Sequence, residues 1–208
     1  FLDPILAEEI FADKKVCFAG SGAVGGVANK TPNGYLVNGH WKYASGALNA
    51  TIFTANCVLK DAYGEDVLDE DGNPEVQAFI LKKDEVEILP GWSYFGLMAT
   101  GSHAFNVVNV EVPLNRSFKI NHNVKVAEEG FDYPFLQLAE TTLTVNSLGM
   151  ANHFIRLVEN SFLERSGLNR YSYTQIAFFN SVLDECKNEL QMRKLQFYQS
   201  FDESWEQL

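Results

Sequence analysis

At 208 residues, with 46% hydrophobic and 21% charged residues, the chain has the composition of a globular protein long enough to bury a substantial core. A formal net charge of −11 excludes the basic face that a nucleic-acid partner needs and disfavours anionic membrane surfaces. No apolar run approaches the length of a bilayer span, so no membrane span is expected. Cys17, Cys57 and Cys186 stand far apart inside apolar runs and read as buried thiols of a reducing, cytoplasmic compartment, not as a disulfide framework. Phe1 to Ile10 lacks the basic start and long apolar centre of a secretory signal. The chain opens on Phe and not on Met, and further residues are expected upstream.

Pro4 followed by Ile5 to Ile10 predicts a short helix, the end of a preceding helical region over residues 1–11. Lys15 to Ala19 is an apolar run of strand length. Glycines 20, 22, 25 and 26 then predict a flexible loop. GSGAVGG superficially matches a phosphate-cradling pattern, but a dinucleotide fingerprint needs a helix directly afterwards. Turn and strand signals follow instead, and the dinucleotide reading is rejected.

The stretch Gly25–Gly46, GGVANKTPNGYLVNGHWKYASG, predicts two short strands. Asn33-Gly34 is the expected hairpin turn, with φ > 0 supplied by the glycine, and Asn38-Gly39 is a second turn signal. Alternation places Trp41, Tyr43 and Ser45 on one face, with Lys42 and Ala44 on the other. Two aromatics and a hydroxyl ending at a glycine form a platform for a flat ligand, or Trp41 and Tyr43 are ordinary sheet-core aromatics.

Further strands are predicted over Thr51–Lys60, Glu75–Lys83, Val86–Leu89 and Ala104–Val112. The acidic segment Asp61–Pro74 lacks EF-hand spacing and reads as a solvated hairpin connection. Short strands at this spacing predict an antiparallel β-barrel or sandwich over residues 12–118. From about residue 132 the period changes. Leu148, Ala151, Ile155, Val158 and Phe162 recur at helical spacing, as do Ile176, Phe179, Leu183, Cys186, Leu190, Phe197, Phe201, Trp205 and Leu208. Gly167 marks the turn between them. The fold class is therefore α+β: a β domain followed, over 132–208, by a long antiparallel helix pair that forms an incomplete bundle. The apolar helix stripes predict a homo-oligomer, a dimer or tetramer.

Two motifs then carry a resemblance. The first is Gly26-x-Ala28 with Gly34-Tyr35-x-Val37-x-Gly39-x-Trp41-x-Tyr43-x-Ser45-Gly46; the second is Gly96-Leu97-Met98-Ala99-Thr100-Gly101-Ser102 followed by Val107 to Pro113. In this order, ahead of long helices, they resemble the middle β domain and part of the C-terminal helical domain of the acyl-CoA dehydrogenase superfamily. In motif form the chain is closest to the flavin monooxygenase and hydroxylase branch.

The resemblance implies FAD as cofactor. By motif, Tyr43 packs against the flavin, Ser45 bonds near its N5, and Phe18, Ala19 and Ser21 form the other flavin-facing strand end, with Trp41 extending the aromatic surface. Thr100 and Ser102 fall on the substrate side. Ala19 stands where dehydrogenases usually carry a Thr, and Met98 replaces a common basic residue. Glu140, Glu159 and Glu164 do not match the family's base motif, so the catalytic base is unassigned. Among His40, His103, His122 and His153, His103 is the favoured proton carrier, although a lone His more often serves structure. No metal site is expected.

Three readings follow from the resemblance. The first is an FAD-dependent oxidoreductase acting on the CH–CH bond of an acyl-CoA-like small molecule. The second is a flavin-dependent monooxygenase of the same fold. The third is a flavin-free, non-catalytic binding or assembly module.

Overall fold

The glycine-rich stretch is a strand and not a loop: β1 runs from Phe18 to Thr31 through Gly20, Gly22, Gly25 and Gly26. The reason is the Trp41 indole, which lies across the backbone of the neighbouring strand. A Cβ on Gly25 would come within 2.7 Å of the indole, one on Gly39 within 2.5 Å of both the indole and the Gly26 Cα, and one on Gly26 would overlap the ring. These glycines form the groove that admits the ring. The computed structural model describes residues 1–120, 131, 133–168 and 170–207, and the chain divides into two compact units, Phe1–Lys125 and Val126–Leu208.

In the first unit β1 is joined by β2 (Gly34–Ala44), β3 (Ile52–Lys60), β4 (Val76–Lys82), β5 (Glu87–Leu89), β6 (His103–Pro113) and β7 (Ser117–Phe118). They form one sheet in the order β5-β6-β2-β1-β3-β4-β7. The neighbouring pairs are antiparallel, as expected, except β1 and β3, which run parallel. After the β1–β2 hairpin, residues 45–51 carry the chain across the end of β1, and Thr51 N and Ile52 N both donate to Cys17 O (2.9 and 3.1 Å). The sheet curls on itself. Phe53 of β3 meets Phe105 of β6 at 5.1 Å, and Tyr35 of β2 meets Phe79 of β4 at 5.3 Å, although neither pair is adjacent in the sheet.

Two other glycine expectations are corrected. The hairpin loop is Pro32-Asn33, and Gly34 pairs with Thr31 inside the ladder without positive φ. Gly34 is needed because a Cβ there would overlap the Val112 carbonyl. Asn38-Gly39 makes no turn. It lies within β2 at a register shift opposite β6, where Asn38 Oδ1 accepts from Asn109 N (2.7 Å) and Asn109 takes φ 52°.

The enclosed core holds Trp41, Phe53, Phe79, Leu81 and Phe105. On the opposite face α1 (Pro4–Phe11), capped by Asp3 Oδ1, packs Leu6 and Ile10 with Ile52 and Ile80. The acidic connection uses its carboxylates locally: Asp61 Oδ1 accepts from Tyr63 N and Glu65 N, and Asp69 Oδ1 from Asp71 N and Asn73 N. After β4, Glu85 meets Arg116 in a fork, with Nη1 to Oε2 at 2.6 Å and Nη2 to Oε1 at 2.9 Å. Partial burial opposes the charge of Glu85, but the Arg116 and Lys82 hydrogen bonds and the nearby positive charges outweigh it and hold the carboxyl below its ordinary value.

In the second unit α2 (Phe135–Ser166) and α3 (Tyr173–Trp205) are antiparallel. Phe162 stacks on Phe179 with ring centroids 3.6 Å apart, and Lys187 Nζ donates to Glu159 Oε1 at 2.6 Å. A capping box between Ser172 and Gln175 starts α3. Leu183 is buried at the centre of its stripe. Cys186, expected to be buried, is exposed, because the stripe passes through Lys187 four residues on from Leu183. His122 and Leu208 lie outside the described residues. No helix among the described residues is long and apolar enough to cross a membrane.

Candidate functional site

The two sequence motifs meet at one end of the sheet. The last pair of β2 and β6 joins Ala44 to His103. Beyond it Gly46 N donates to Thr100 O (2.7 Å), and Ser45 Oγ lies 2.8 Å from Ser102 Oγ. Ser102 is 6% exposed, and its hydroxyl also meets Thr100 Oγ1 at 2.7 Å. Thr100 Oγ1 in turn donates to Leu97 O at 2.8 Å. A row of three hydroxyls thus runs from exposed Ser45 to a backbone carbonyl.

Backbone strain concentrates here. Tyr43 has φ 67° and Leu97 φ 49°, conformations that ordinary residues rarely adopt, and Gly46, Gly91, Gly96 and Gly101 also have positive φ. The Tyr43 conformation corrects the expected alternation. The β2–β6 register shifts between Trp41 and Ala44, so Trp41 and Ala44 are buried while Lys42, Tyr43 and Ser45 are exposed. Tyr43 and Trp41 therefore do not share a face. Trp41 is 1% exposed, stacks on Phe105 (5.1 Å, 13°) and donates from Nε1 to Asn56 O (3.0 Å).

Tyr43, 58% exposed, instead faces the edge of Trp92, with ring centroids 6.1 Å apart and planes at 86°, and Trp92 packs on Tyr94 at 4.5 Å. These rings, with Lys42, Leu89, Pro90 and Ser102, line a cleft of about 180 Å³. His103 holds the loop that carries Trp92: its Nδ1 accepts from Gly91 N and Trp92 N, both at 3.2 Å. That requires an unprotonated Nδ1 and leaves any proton of the neutral ring on Nε2. Trp92 Nε1 then donates to Leu97 O (3.1 Å).

The structure brings together Tyr43, Ser45, Thr100, Ser102 and His103. Phe18, Ala19 and Ser21 do not line this cleft: Phe18 stacks on Phe11, Ala19 is 5% exposed beside Phe53 in the ladder, and Ser21 Oγ accepts from Ala23 N. His40 Nδ1 pairs with Asn106 Oδ1 and His153 Nδ1 with Arg156, neither in the cleft. Glu159 is paired with Lys187. Sequence reasoning missed Trp92 and Tyr94, although an aromatic run directly after Pro90-Gly91 is the available signal. No cluster of metal-ligating side chains occurs among the described residues.

An exposed aromatic beside a hydroxyl at a strained strand end fits a flat, hydrogen-bonding group such as a flavin ring. No protein-family model matches the chain. Solved structures give the fold: XiaF from Streptomyces sp., in complex with FADH2 and glycerol, superposes with TM-score 0.80 at 19% identity over 99% of this chain and 54% of its own. Acyl-CoA dehydrogenase from Geobacillus kaustophilus superposes with TM-score 0.63 at 14% identity over 92% of this chain and 51% of its own. The fold is that of the acyl-CoA dehydrogenase superfamily.

In sequence the chain is similar to monooxygenases. It is 30% identical over 200 residues to indole-3-acetate monooxygenase of Acinetobacter baumannii, covering 93% of this chain and 48% of the relative. It is 29% identical over 155 residues to the oxygenase subunit HsaA, a flavin-dependent monooxygenase of Mycobacterium tuberculosis, covering 69% of this chain and 37% of the relative. The chain spans about half the length, or less, of the curated relatives it matches.

Proposed function

We propose that this chain is part of a flavin-dependent monooxygenase that places one atom of O2 on a small aromatic substrate. The observation that carries the reading is exposed Tyr43 in an aromatic cleft, with exposed Ser45 bonded to the cleft residue Ser102, on a chain similar over 93% of its length to a monooxygenase of an aromatic acid. It takes precedence over the acyl-CoA dehydrogenase reading because the relatives in sequence are monooxygenases.

In this reading residues 12–118 are the flavin-binding domain, 132–208 belong to a helical domain and 1–11 end a preceding helical region. FAD is the proposed flavin. When bound in reduced form it supplies two electrons and the position at which O2 is activated. Tyr43 offers its ring to the flavin, Ser45 a hydroxyl to a ring nitrogen, and Gly46 a close backbone approach. Trp92, held through His103, screens the ring from water on that side. His103 is a positioning residue in this scheme, because its Nδ1 is engaged by the loop.

The helix pair, with Leu136, Phe154 and Phe178 each at least 67% exposed, supports a homo-oligomer. Light scattering on the 23.3 kDa chain that returns a monomer speaks against it.

The test supplies FADH2, 18O2 and indole-3-acetate and follows the product by mass spectrometry. One 18O atom in the product supports the reading. Reduction of FAD by an acyl-CoA with no oxygen incorporated returns the dehydrogenase.

A further inference from the structure

The row of hydroxyls at Ser45, Ser102 and Thr100 has a direction, fixed at its inner end. Each hydroxyl has one proton to donate and two lone pairs. A carbonyl has none to donate, so in the 2.8 Å bond to Leu97 O the proton belongs to Thr100. Having spent it, Thr100 Oγ1 can only accept in its 2.7 Å contact with Ser102, which therefore donates. Ser102 in turn can only accept in its 2.8 Å contact with Ser45, so Ser45 gives its proton inward. The Leu97 carbonyl also receives Thr100 N and Trp92 Nε1, both at 3.1 Å, and the Thr100 hydroxyl is the nearest of the three donors.

Ser45 thus turns lone pairs, and no proton, toward the open side of the site. We infer that Thr100 and Ser102 are positioning residues that lock Ser45 as a hydrogen-bond acceptor and so select the reduced form of the bound ring system. This rests on the flavin reading above. Oxidised flavin has a bare N5 that needs a donor, whereas reduced flavin carries a hydrogen on N5 that needs an acceptor. A Ser45 hydroxyl committed inward favours the second.

The inference gives the expected bond near N5 a direction: Ser45 accepts. It also places the selection one step behind Ser102, in a threonine whose hydroxyl bonds Ser102 and the Leu97 carbonyl. Replacing Thr100 by valine removes the acceptor while keeping the shape. Ser45 Oγ is then the partner left to Ser102 within the row, so the Ser102 proton turns to it and the Ser45 proton is released outward. One substitution reverses the row without touching Ser45 or Ser102.

The experiment measures dissociation constants for FAD and, anaerobically, for FADH2 on wild type, Thr100→Val and Thr100→Ser. Wild type is expected to bind FADH2 more tightly by about fivefold or more, the worth of one neutral hydrogen bond. Thr100→Val is expected to erase or invert that preference, and Thr100→Ser, which restores the hydroxyl, to keep it. If both forms bind and Thr100→Val leaves the ratio unchanged, the inference is overturned while the flavin reading stands. If wild type binds neither form, the flavin reading falls and this one with it. Should Thr100→Val fail to fold, neutron diffraction from the deuterated wild type decides: a Ser102 deuteron directed at Thr100 supports the inference, and one directed at Ser45 overturns it.

Discussion

Ser45 Oγ and Ser102 Oγ lie 2.8 Å apart although 57 residues separate them. Through this contact and the Gly46 N to Thr100 O bond, the end of β2 is tied to the entry of β6. Each motif alone supplies half of the candidate site. The sheet pairing of Ala44 with His103 is what joins the halves.

The Trp41 groove separates glycines by role. Gly26→Ala is expected to destabilise the chain by about 1–3 kcal/mol, the usual cost of overpacking, because the new methyl meets the indole. Gly22→Ala, with nothing within 4 Å of its Cβ position and no positive φ, is expected to be neutral or slightly stabilising. Urea unfolding of both variants checks the contrast.

Much of the fold was legible in the sequence because hydrophobic period is a direct record of burial. The change from period 2 to period 3.6 between Val112 and Leu148 marks sheet from helix, and the stripe Ile176, Phe179, Leu183, Leu190 lies on the less exposed side of α3. Glycine was the ambiguous signal. Gly25, Gly26, Gly34 and Gly39 look like turn residues, yet they mark close approaches to neighbouring strands: Gly25 and Gly26 to Trp41, Gly34 to Val112, and Gly39 to Gly26. The strand parity around Tyr43 was illegible for a similar reason. A left-handed tyrosine is a local anomaly imposed by tertiary pairing, and no neighbouring residue announces it. The polarity of the hydroxyl row was also out of reach, since it depends on where the Leu97 carbonyl points.

The Glu85–Arg116 fork makes part of the stability pH-dependent. Its folded pKa lies below the ordinary 4.5, so the stability it adds is present above that value and is lost as pH falls through the folded one. Glu85→Gln is expected to shrink the loss of stability between neutral and acid pH. Glu85→Ala, which strands the 9%-exposed Arg116, is expected to cost about 3 kcal/mol. Thermal melts across pH measure both.

The thiols are expected to differ sharply in reactivity. Burial pushes the Cys57 thiol up to about 12, while Cys186 is exposed. Iodoacetamide on the native chain, followed by peptide mass spectrometry, is expected to modify Cys186 first and Cys57 only after unfolding. Early modification of Cys57 would mean that the β core opens readily.

The central claim is that a flavin lies against Tyr43. Fluorescence titration with FAD and FADH2 on wild type, Tyr43→Ala and Tyr63→Ala tests it most directly, since Tyr63 is 91% exposed in the acidic connection and outside the cleft. Tyr43→Ala is expected to weaken binding by about fivefold or more, in line with aromatic stacking worth ~1 kcal/mol. Tyr63→Ala is expected to bind as wild type does. Binding by Tyr43→Ala that equals wild type, or no binding by wild type at all, would contradict the claim.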